Sequence, residues 1–491
     1  MSKLIGQGQV PHRDFYEHHL PLYHLLHAPH MRSAEGPAPL FRLRAVSTLC
    51  FVLTLALGSR ILLLRTGGCP SAVMAWMGLS PIVFLKMMEA RPETLSVLLA
   101  MVSLWLLSGP NPRPGLAGVA AACMVLASQK FLFLGVGLFG VCAFEHRIRG
   151  MVRFCIWGLA PPVLTLASLV LTDSLAPAWE HLVVMNTGWK ESFSPAMYGG
   201  LLWRTSGLAC VLAVFGLLQN KESHTRWVAS ILLAGATLGI FMVPIPYRQT
   251  FLMLIPGWLL ALALGWKAVM DLLPESSRTV AAAVLAPIGL LPAIANLQEE
   301  FSFTVEEDLR QMEAVAAVTE GAIFDARGLL WDRPHVGFYP WLHHGLRQML
   351  DPDRYSRDTM EALAAEGFPP YLNDYRAVEY PPALQTFLAE NYLETEVPNL
   401  HRFGFRLNRS RLMGKGMELE LPVAGRWRLE GQGGQILING SAVPFDTVVE
   451  LPKGPCRIQA RGFVRNPRLL LMEENTSNSQ HLMSNIQRGE M

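Results

Sequence analysis

The stretch AVSTLCFVLTLALGSRILLL, residues 45–64, decides the fold class. It carries a single charge, Arg60, and a helix of about 20 apolar residues, rising about 1.5 Å per residue, covers the hydrocarbon core of a bilayer. Further apolar runs follow at 70–89, 92–108, 115–129, 130–144, 153–172, 200–218, 227–243, 249–268 and 278–296, which makes ten candidate spans. The pieces 115–129 and 130–144 are short, roughly 22 Å each as helices. They read either as one long tilted helix or as a hairpin broken at Ser128-Gln129-Lys130. Composition agrees with a membrane chain: of 491 residues 51% are hydrophobic and 16% charged, where a soluble domain has about a quarter charged.

Upstream lies PHRDFYEHHLPLYHLLHAPH, residues 11–30, which holds six of the chain's 14 histidines with Asp14 and Glu17 among prolines and aromatics. Titratable residues at the mouth of a membrane domain point to a site. The plain alternative is an interfacial segment whose histidines, Tyr16 and Tyr23 sit at headgroup depth.

Downstream, the even parity of ten spans puts this segment on the same side of the membrane as the C-terminal region. The connectors then assigned inside carry ten Lys and Arg residues, with EHRIRGMVR (145–153) the richest loop, and those assigned outside carry six. That is the sense of the positive-inside rule, although five more basic residues in the N-terminal segment offset it. Four outer connectors hold chemically capable groups. MMEARPET (87–94) places Glu89, Arg91 and Glu93 at a turn, SQK (128–130) places Lys130, and PIPYRQTF (244–251) places Tyr247 and Arg248. The fourth, HLVVMNTGWKESFSP (181–195), reads as a polar loop able to cover a site. Singly, each is accounted for by interfacial anchoring. Together, cations there could hold a phosphate and carboxylates could act as a base or bind a divalent metal.

From 297 the composition becomes that of a soluble domain. An amphipathic helix is expected at 304–320, with Thr304 and Glu307 as a capping box, then a short strand at 321–326 and helices near 356–366 and 382–394. After Asn399 the segments HRFGFRL, MELELPV, RWRLEGQ, QILING, FDTVVELP, CRIQARGF and PRLLLM alternate with period two, which argues a small β-sandwich. The expected layout is a segment 1–44, a transmembrane domain 45–296, an α/β subdomain 297–398, a β-sandwich subdomain 399–472 and a disordered tail 473–491. The fold class is thus a membrane α-helical bundle followed by a soluble α+β domain. Nothing resembles a nucleic-acid surface, a metal-type cysteine spacing, a secretory signal peptide, a nucleophile elbow or a P-loop.

The run GQVPHRDFYEHHLPLYHLL, then FRLRAVS, EARPETLSVLL, SQKFLFLGVG and PYRQTFLMLIPGWLLAL resembles the GT-C membrane glycosyltransferases of the protein-mannosyltransferase and aminoarabinose-transferase type, over roughly residues 6–296. The resemblance implies transfer of a sugar from a polyprenyl-phosphate donor to a lipid, glycan or protein acceptor. It places the reaction at the outer face of the membrane, with the chain in a bacterial inner membrane and the C-terminal domain periplasmic or extracellular. A first-loop carboxylate serves such enzymes as base, often with a divalent metal (Mg, Mn or Zn) nearby. Carried onto this chain, that gives Asp14 and Glu17 as catalytic candidates, with His18 and His19 where the family has a lysine. Arg91, Glu93, Lys130, Tyr247 and Arg248 fall at positions expected to contact donor phosphate or acceptor. The family's first helix and its usual Asp-Glu pair have no counterpart here, and a missing N-terminal segment is the expectation. A non-catalytic membrane scaffold, or a glycan-binding protein, remains the main alternative, and a lipid-linked sugar transporter a further one.

Overall fold

The computed structural model describes residues 1–32, 36, 38–68, 70–188, 195–220, 223–243, 247–301, 306–331, 333–339 and 349–472. The chain divides into two compact units, Met1–Thr304 and Val305–Met491. Thr304 of the expected capping box, the polar stretch 189–194, Pro244-Ile245-Pro246 and the tail 473–491 lie outside the described residues.

The first unit is helical. Six of its helices are long and apolar enough to cross a membrane: Ala38–Thr66, Gln129–Leu171, Leu202–Gln219, His224–Met242, Arg248–Asp271 and Glu275–Gln298. A seventh arises if the bent pair Ser71–Leu79 and Pro81–Met88 counts as one. The pair meets at 65° because Pro81 has no N–H to continue the first helix's ladder and instead opens the second. Pro92–Ser108 and Pro114–Ala127 are apolar but shorter. By length and composition, then, six or seven of the described helices qualify as spans, against the ten expected.

The ambiguous region 115–144 forms two helices. Ser96 donates to the carbonyl of Met124 (2.9 Å) and Ser103 to that of Ala117 (2.9 Å), so Pro92–Ser108 and Pro114–Ala127 run antiparallel. After the 3₁₀ turn Gln129–Phe131 a new helix begins at Leu132 and packs back on Pro114–Ala127. The connector 145–153, expected as a loop, is helical apart from Arg147 (φ 54°, ψ −160°), where the helix Leu132–Gly158 breaks. One left-handed residue reverses the chain here. Gly118 permits the return, since a Cβ there would lie 2.1 Å from the carbonyl oxygen of Phe154. Gly265 plays the same part between Ile255–Asp271 and Pro195–Gln219, with Leu212 O 1.8 Å from its absent Cβ. Close small-residue contacts of this kind are how helices pack in lipid.

Hydrogen bonds define two polar ends of this unit. At one, the buried Arg65 and Glu145 pair, Arg65 also donates to Ser108 (2.7 Å), and His224 lies 3.5 Å from Glu145. At the other, Gln129 donates to the carbonyl of His18, Arg13 to that of Thr172 (3.3 Å) and Asn186 to that of His18 (3.1 Å). The chain thus leaves the second end at Gln129, reaches the first at Glu145, and is back by Thr172. The expected loop 181–195 is helical through Gly188: a π-helical turn Glu180–Met185 leads into Asn186–Gly188. Apolar Leu182, Val183 and Val184 favour a packed turn, and the Asn186 amide donates to the carbonyls of His181 (3.3 Å) and Leu182 (3.0 Å), which the wide turn leaves available.

The second unit has helices Glu306–Ala316, Pro352–Ala365 and Pro382–Asn391 and one hydrogen-bonded sheet. Asp351 caps the second helix by accepting from the amides of Asp353 and Arg354. The strands are β1 (Phe324–Asp325), β2 (Tyr371–Leu372), β3 (Tyr392–Glu394), β4 (Leu400–Arg406), β5 (Met417–Leu421), β6 (Gly425–Ile438), β7 (Ser441–Val443), β8 (Thr447–Leu451) and β9 (Gly454–Leu471). Their order is β1-β2-β4-β9-β6-β7, with β3 on β4, β5 on β9 and β8 on β6. RWRLEGQ and QILING, expected as separate strands, join in β6, and CRIQARGF and PRLLLM join in β9. Gly431 (φ 146°) and Gly433 (φ 96°) supply bulges, not a turn, and keep the two strands paired across them. Trp427, Leu429, Ile436, Ile458 and Leu469 are the buried sides of these two strands.

Candidate functional site

The second polar end of the helical unit collects the residues singled out from sequence. Its first part is a tight turn at 10–15. His12 has φ 69°, a left-handed conformation uncommon outside glycine. Its amide donates to the carbonyl of Phe15, and the carboxylate of Asp14 accepts from the amide of Val10 (2.7 Å). Phe15 and Tyr16 are buried beneath the turn. Asp14 also receives the Arg13 guanidinium, Nε at 2.8 Å and a second nitrogen at 3.0 Å. That bidentate bond holds its carboxyl below the usual range, and Asp14 stays partly exposed.

Glu17 is different. Its side chain is 2% exposed. Oε1 accepts from the amides of His18 and His19 and from the His19 ring, all at 2.9 Å. Nδ1 of His18 lies 3.6 Å from Oε1 and Nε2 of His24 lies 3.2 Å from Oε2. Oε2 itself has no hydrogen bond among the described residues. Burial pushes Glu17 up, but His24, His19 and His18 outweigh it and leave the carboxylate well below its ordinary range. Burial takes His24 the other way, down to about 4, so its neutral ring can accept from the Ser2 hydroxyl at Nδ1 (3.2 Å) and face Glu17 with Nε2–H. Donor atoms of Glu17, His18 and His19 lie within 4.8 Å of one another, a spacing that could hold a metal ion.

A second layer backs this cluster. His181, buried, meets His12 through their Nδ1 atoms at 3.4 Å and packs edge-on against Tyr16. Burial lowers His181 to about 4. The Gln129 amide bridges the cluster to the next helix pair, donating to His18 O and accepting from the Leu20 amide.

The cations stand alongside, each with a carboxylate. Lys130 pairs with the buried Glu93 at 3.1 Å. His19, bonded to Glu17 Oε1 at 2.9 Å, is also near enough to act electrostatically on Glu93, so the two carboxylates share one neighbourhood. Lys86 and Arg91 both bond Glu89. Two cations thus share one carboxylate, and Arg91 is 40% exposed with donors beyond the one Glu89 takes. The 3₁₀ helix Arg248–Leu254, entered from Tyr247, packs on Pro81–Met88 and Pro92–Ser108 and so belongs to the same end.

Asp14, Glu17, His18, His19, Arg91, Glu93, Lys130, Tyr247 and Arg248 therefore gather at one end of one unit. Sequence reasoning passed over His181, Gln129 and Asn186 as site residues. Gln129 was legible only as a polar break between apolar runs, and nothing local marked His181 as a partner of His12. No known family model, curated protein or solved structure matches the chain.

Proposed function

We propose that the protein is a membrane glycosyltransferase that moves a sugar from a polyprenyl-phosphate donor to a lipid, glycan or protein hydroxyl. In this reading the bent pair and the two shorter apolar helices also cross the bilayer and Gln129–Leu171 crosses twice through its reversal at Arg147, giving ten crossings in a GT-C-like arrangement, and the C-terminal unit emerges on the outer face. Its long bent strands β6 and β9 close over Trp427 as a small sandwich.

The observation that carries the reading is the pair Lys86 and Arg91 sharing Glu89, beside the buried Glu93–Lys130 pair, at one end of a bundle of apolar helices. Transfer breaks the bond between the anomeric carbon and a phosphate oxygen as the acceptor oxygen attacks. The leaving polyprenyl phosphate gains a negative charge, and the acceptor hydroxyl loses a proton. Arg91 and Lys86 supply more positive charge than Glu89 cancels, placed to stabilise that leaving phosphate. A prenyl tail lies in lipid while its phosphate sits at headgroup level, the depth at which these cations end their helices. Of the two first-loop carboxylates, Asp14 is reachable and takes the proton. Glu17 is enclosed and instead holds His18, His19 and His24 in place.

The imidazoles of His18 and His19 with Glu17 suit a divalent metal of the zinc type better than magnesium, which prefers oxygen donors. The buried, unbonded Oε2 of Glu17 fits such an ion. When bound it would supply positive charge beside the phosphate site. One observation favours a scaffold instead: Lys86, Arg91 and Lys130 each already have a carboxylate partner. The test is release of polyprenyl phosphate from lipid-linked sugars by protein in nanodiscs. Arg91→Ala and Arg248→Ala should each slow it by orders of magnitude, since such contacts are worth about 3–4 kcal/mol in the transition state. Undiminished release in both variants would remove them from the site.

A further inference from the structure

Charge is divided within the C-terminal unit. Residues 305–399 carry 17 Asp and Glu against 7 Lys and Arg, whereas residues 400–472 carry 5 against 12. An asymmetry of that size between adjoining parts of one unit points to an anionic partner for the basic part.

Five of those basic residues gather on β9 and the short helix beside it. The helix Arg409–Met413 is capped by Asn408, whose side chain accepts from the Arg411 amide (3.2 Å), and is anchored by the buried Leu412. It packs along β9, where the Gln459 side chain donates to the carbonyl of Lys415 (3.4 Å). The Arg409 guanidinium lies 3.7 Å from the centre of the Phe463 ring, a cation–π contact that orders both side chains. Arg409, Arg411, Lys415, Arg461 and Arg465 are all exposed, and none pairs with a carboxylate among the described residues. Arg428 and Arg468, by contrast, share Glu430 at 3.7 and 2.6 Å. Across from Arg461 and Arg465 on β6 stand Gln435 and Gln432, both neutral. Gly433 and Gly434 let the strands meet this closely, since a Cβ on either would lie 2.4 Å from a β9 carbonyl oxygen.

Two apolar side chains stand with these cations: Phe463 is 52% exposed and Met413 47%. Cations around exposed apolar groups match a bilayer surface, where guanidiniums meet phosphates and apolar side chains enter the headgroup layer. Nucleic acid fits less well, because Arg409 already lies over the ring on which a base would stack. An acidic glycan would answer the charge and leave Phe463 and Met413 in water. The apolar helices of the other unit associate the chain with a membrane, so headgroups are present at high local concentration. From the unpaired cations around two exposed apolar side chains, we propose that this face of β9 docks on a membrane surface rich in anionic phospholipid. Docking of this kind is independent of sugar transfer and holds for a chain that moves no sugar.

The experiment takes the full chain in phosphatidylcholine nanodiscs and reads its co-sedimentation with dense vesicles of phosphatidylcholine, alone or mixed with phosphatidylglycerol. The chain should sediment with the anionic vesicles only, and less so as salt shortens the Debye length. An arginine near an anionic surface is worth about 5-fold in partition, so Arg461→Gln combined with Arg465→Gln should lower binding by roughly 20-fold. Phe463→Ser should weaken vesicle binding more than retention on heparin, a soluble polyanion. Both variants change exposed side chains and should melt as the wild type does. Equal sedimentation with both lipids, none with either, or an unchanged double variant would each overturn the proposal. So would vesicle binding unaffected by Phe463→Ser, which would leave charge alone at work and a soluble polyanion as the partner. Arg149 and Arg153 of the helical unit are exposed too. Changing both to Gln should leave vesicle binding intact; loss there, with none on changing Arg461 and Arg465, would move the contact to that unit and overturn this assignment.

Discussion

Lys130→Met removes the ion partner of a carboxylate that is 2% exposed. At 3.1 Å and an effective dielectric of about 20, two unit charges attract by roughly 5 kcal/mol. Removing one partner of a buried pair leaves the other charge uncompensated and typically costs about 3–5 kcal/mol, so the variant should melt roughly 10 °C lower. Glu93→Gln in the same chain removes the stranded charge and should recover most of that loss, although the amide it introduces stays buried. Thermal unfolding can be followed with a thiol-reactive fluorophore, since Cys142 is buried in the helical unit and becomes reactive on opening. The double variant separates structure from chemistry: it should be stable and yet transfer no sugar. A wild-type melting curve for Lys130→Met, or no recovery on adding Glu93→Gln, would refute the buried pair.

Three further outcomes follow from the geometry. His181 has its folded pKa lowered to about 4, against about 6.5 unfolded, so its contribution is intact above pH 6.5 and declines as the pH falls from 6.5 towards 4, by up to about 3 kcal/mol. Protection of the amides in residues 10–19, referred to the intrinsic exchange rate at each pH, should fall over that window and lose the dependence in His181→Phe; wild-type protection that stays constant would contradict the burial. Gly265→Ala places a Cβ 1.8 Å from Leu212 O and should destabilise the helical unit by about 3 kcal/mol, while Gly199→Ala, with nothing within 4 Å, should not. Glu145→Ala strands the buried Arg65 at the opposite end and should cost about 3–5 kcal/mol, read by the same melting assay.

Much of the fold was legible because the local signals agreed with the tertiary outcome. The apolar run 45–64 is the middle of Ala38–Thr66, and the alternating segments after Asn399 are strands. Where the reading failed, the deciding contact lay far away in sequence. Gly150 is a local mark of the reversal at Arg147, since its absent Cβ would lie 2.3 Å from that of His146, but the Arg65–Glu145 pair and the close approach at Gly118 lie far off in sequence. The gap at Gly433-Gly434 separates two expected strands in sequence and is a bulge within one strand, because β9 runs past it. At the site, the histidines and cations were visible as residue types, but not their partners. Glu17 reads as a reachable acid in sequence and is enclosed by three imidazoles in the fold. Lys86 stood in a connector with no role until Glu89 joined it to Arg91.

The central claim is that the cations at this end of the helical unit serve a lipid-borne sugar phosphate. Its most direct measurement is the release of polyprenyl phosphate from a panel of polyprenyl-phosphate sugars by the full chain in nanodiscs, with and without an acceptor extract, alongside Arg91→Ala. Release that depends on acceptor and falls by about two orders of magnitude in Arg91→Ala is the predicted result. No release from any donor by folded wild-type protein, or release indifferent to Arg91, would contradict it.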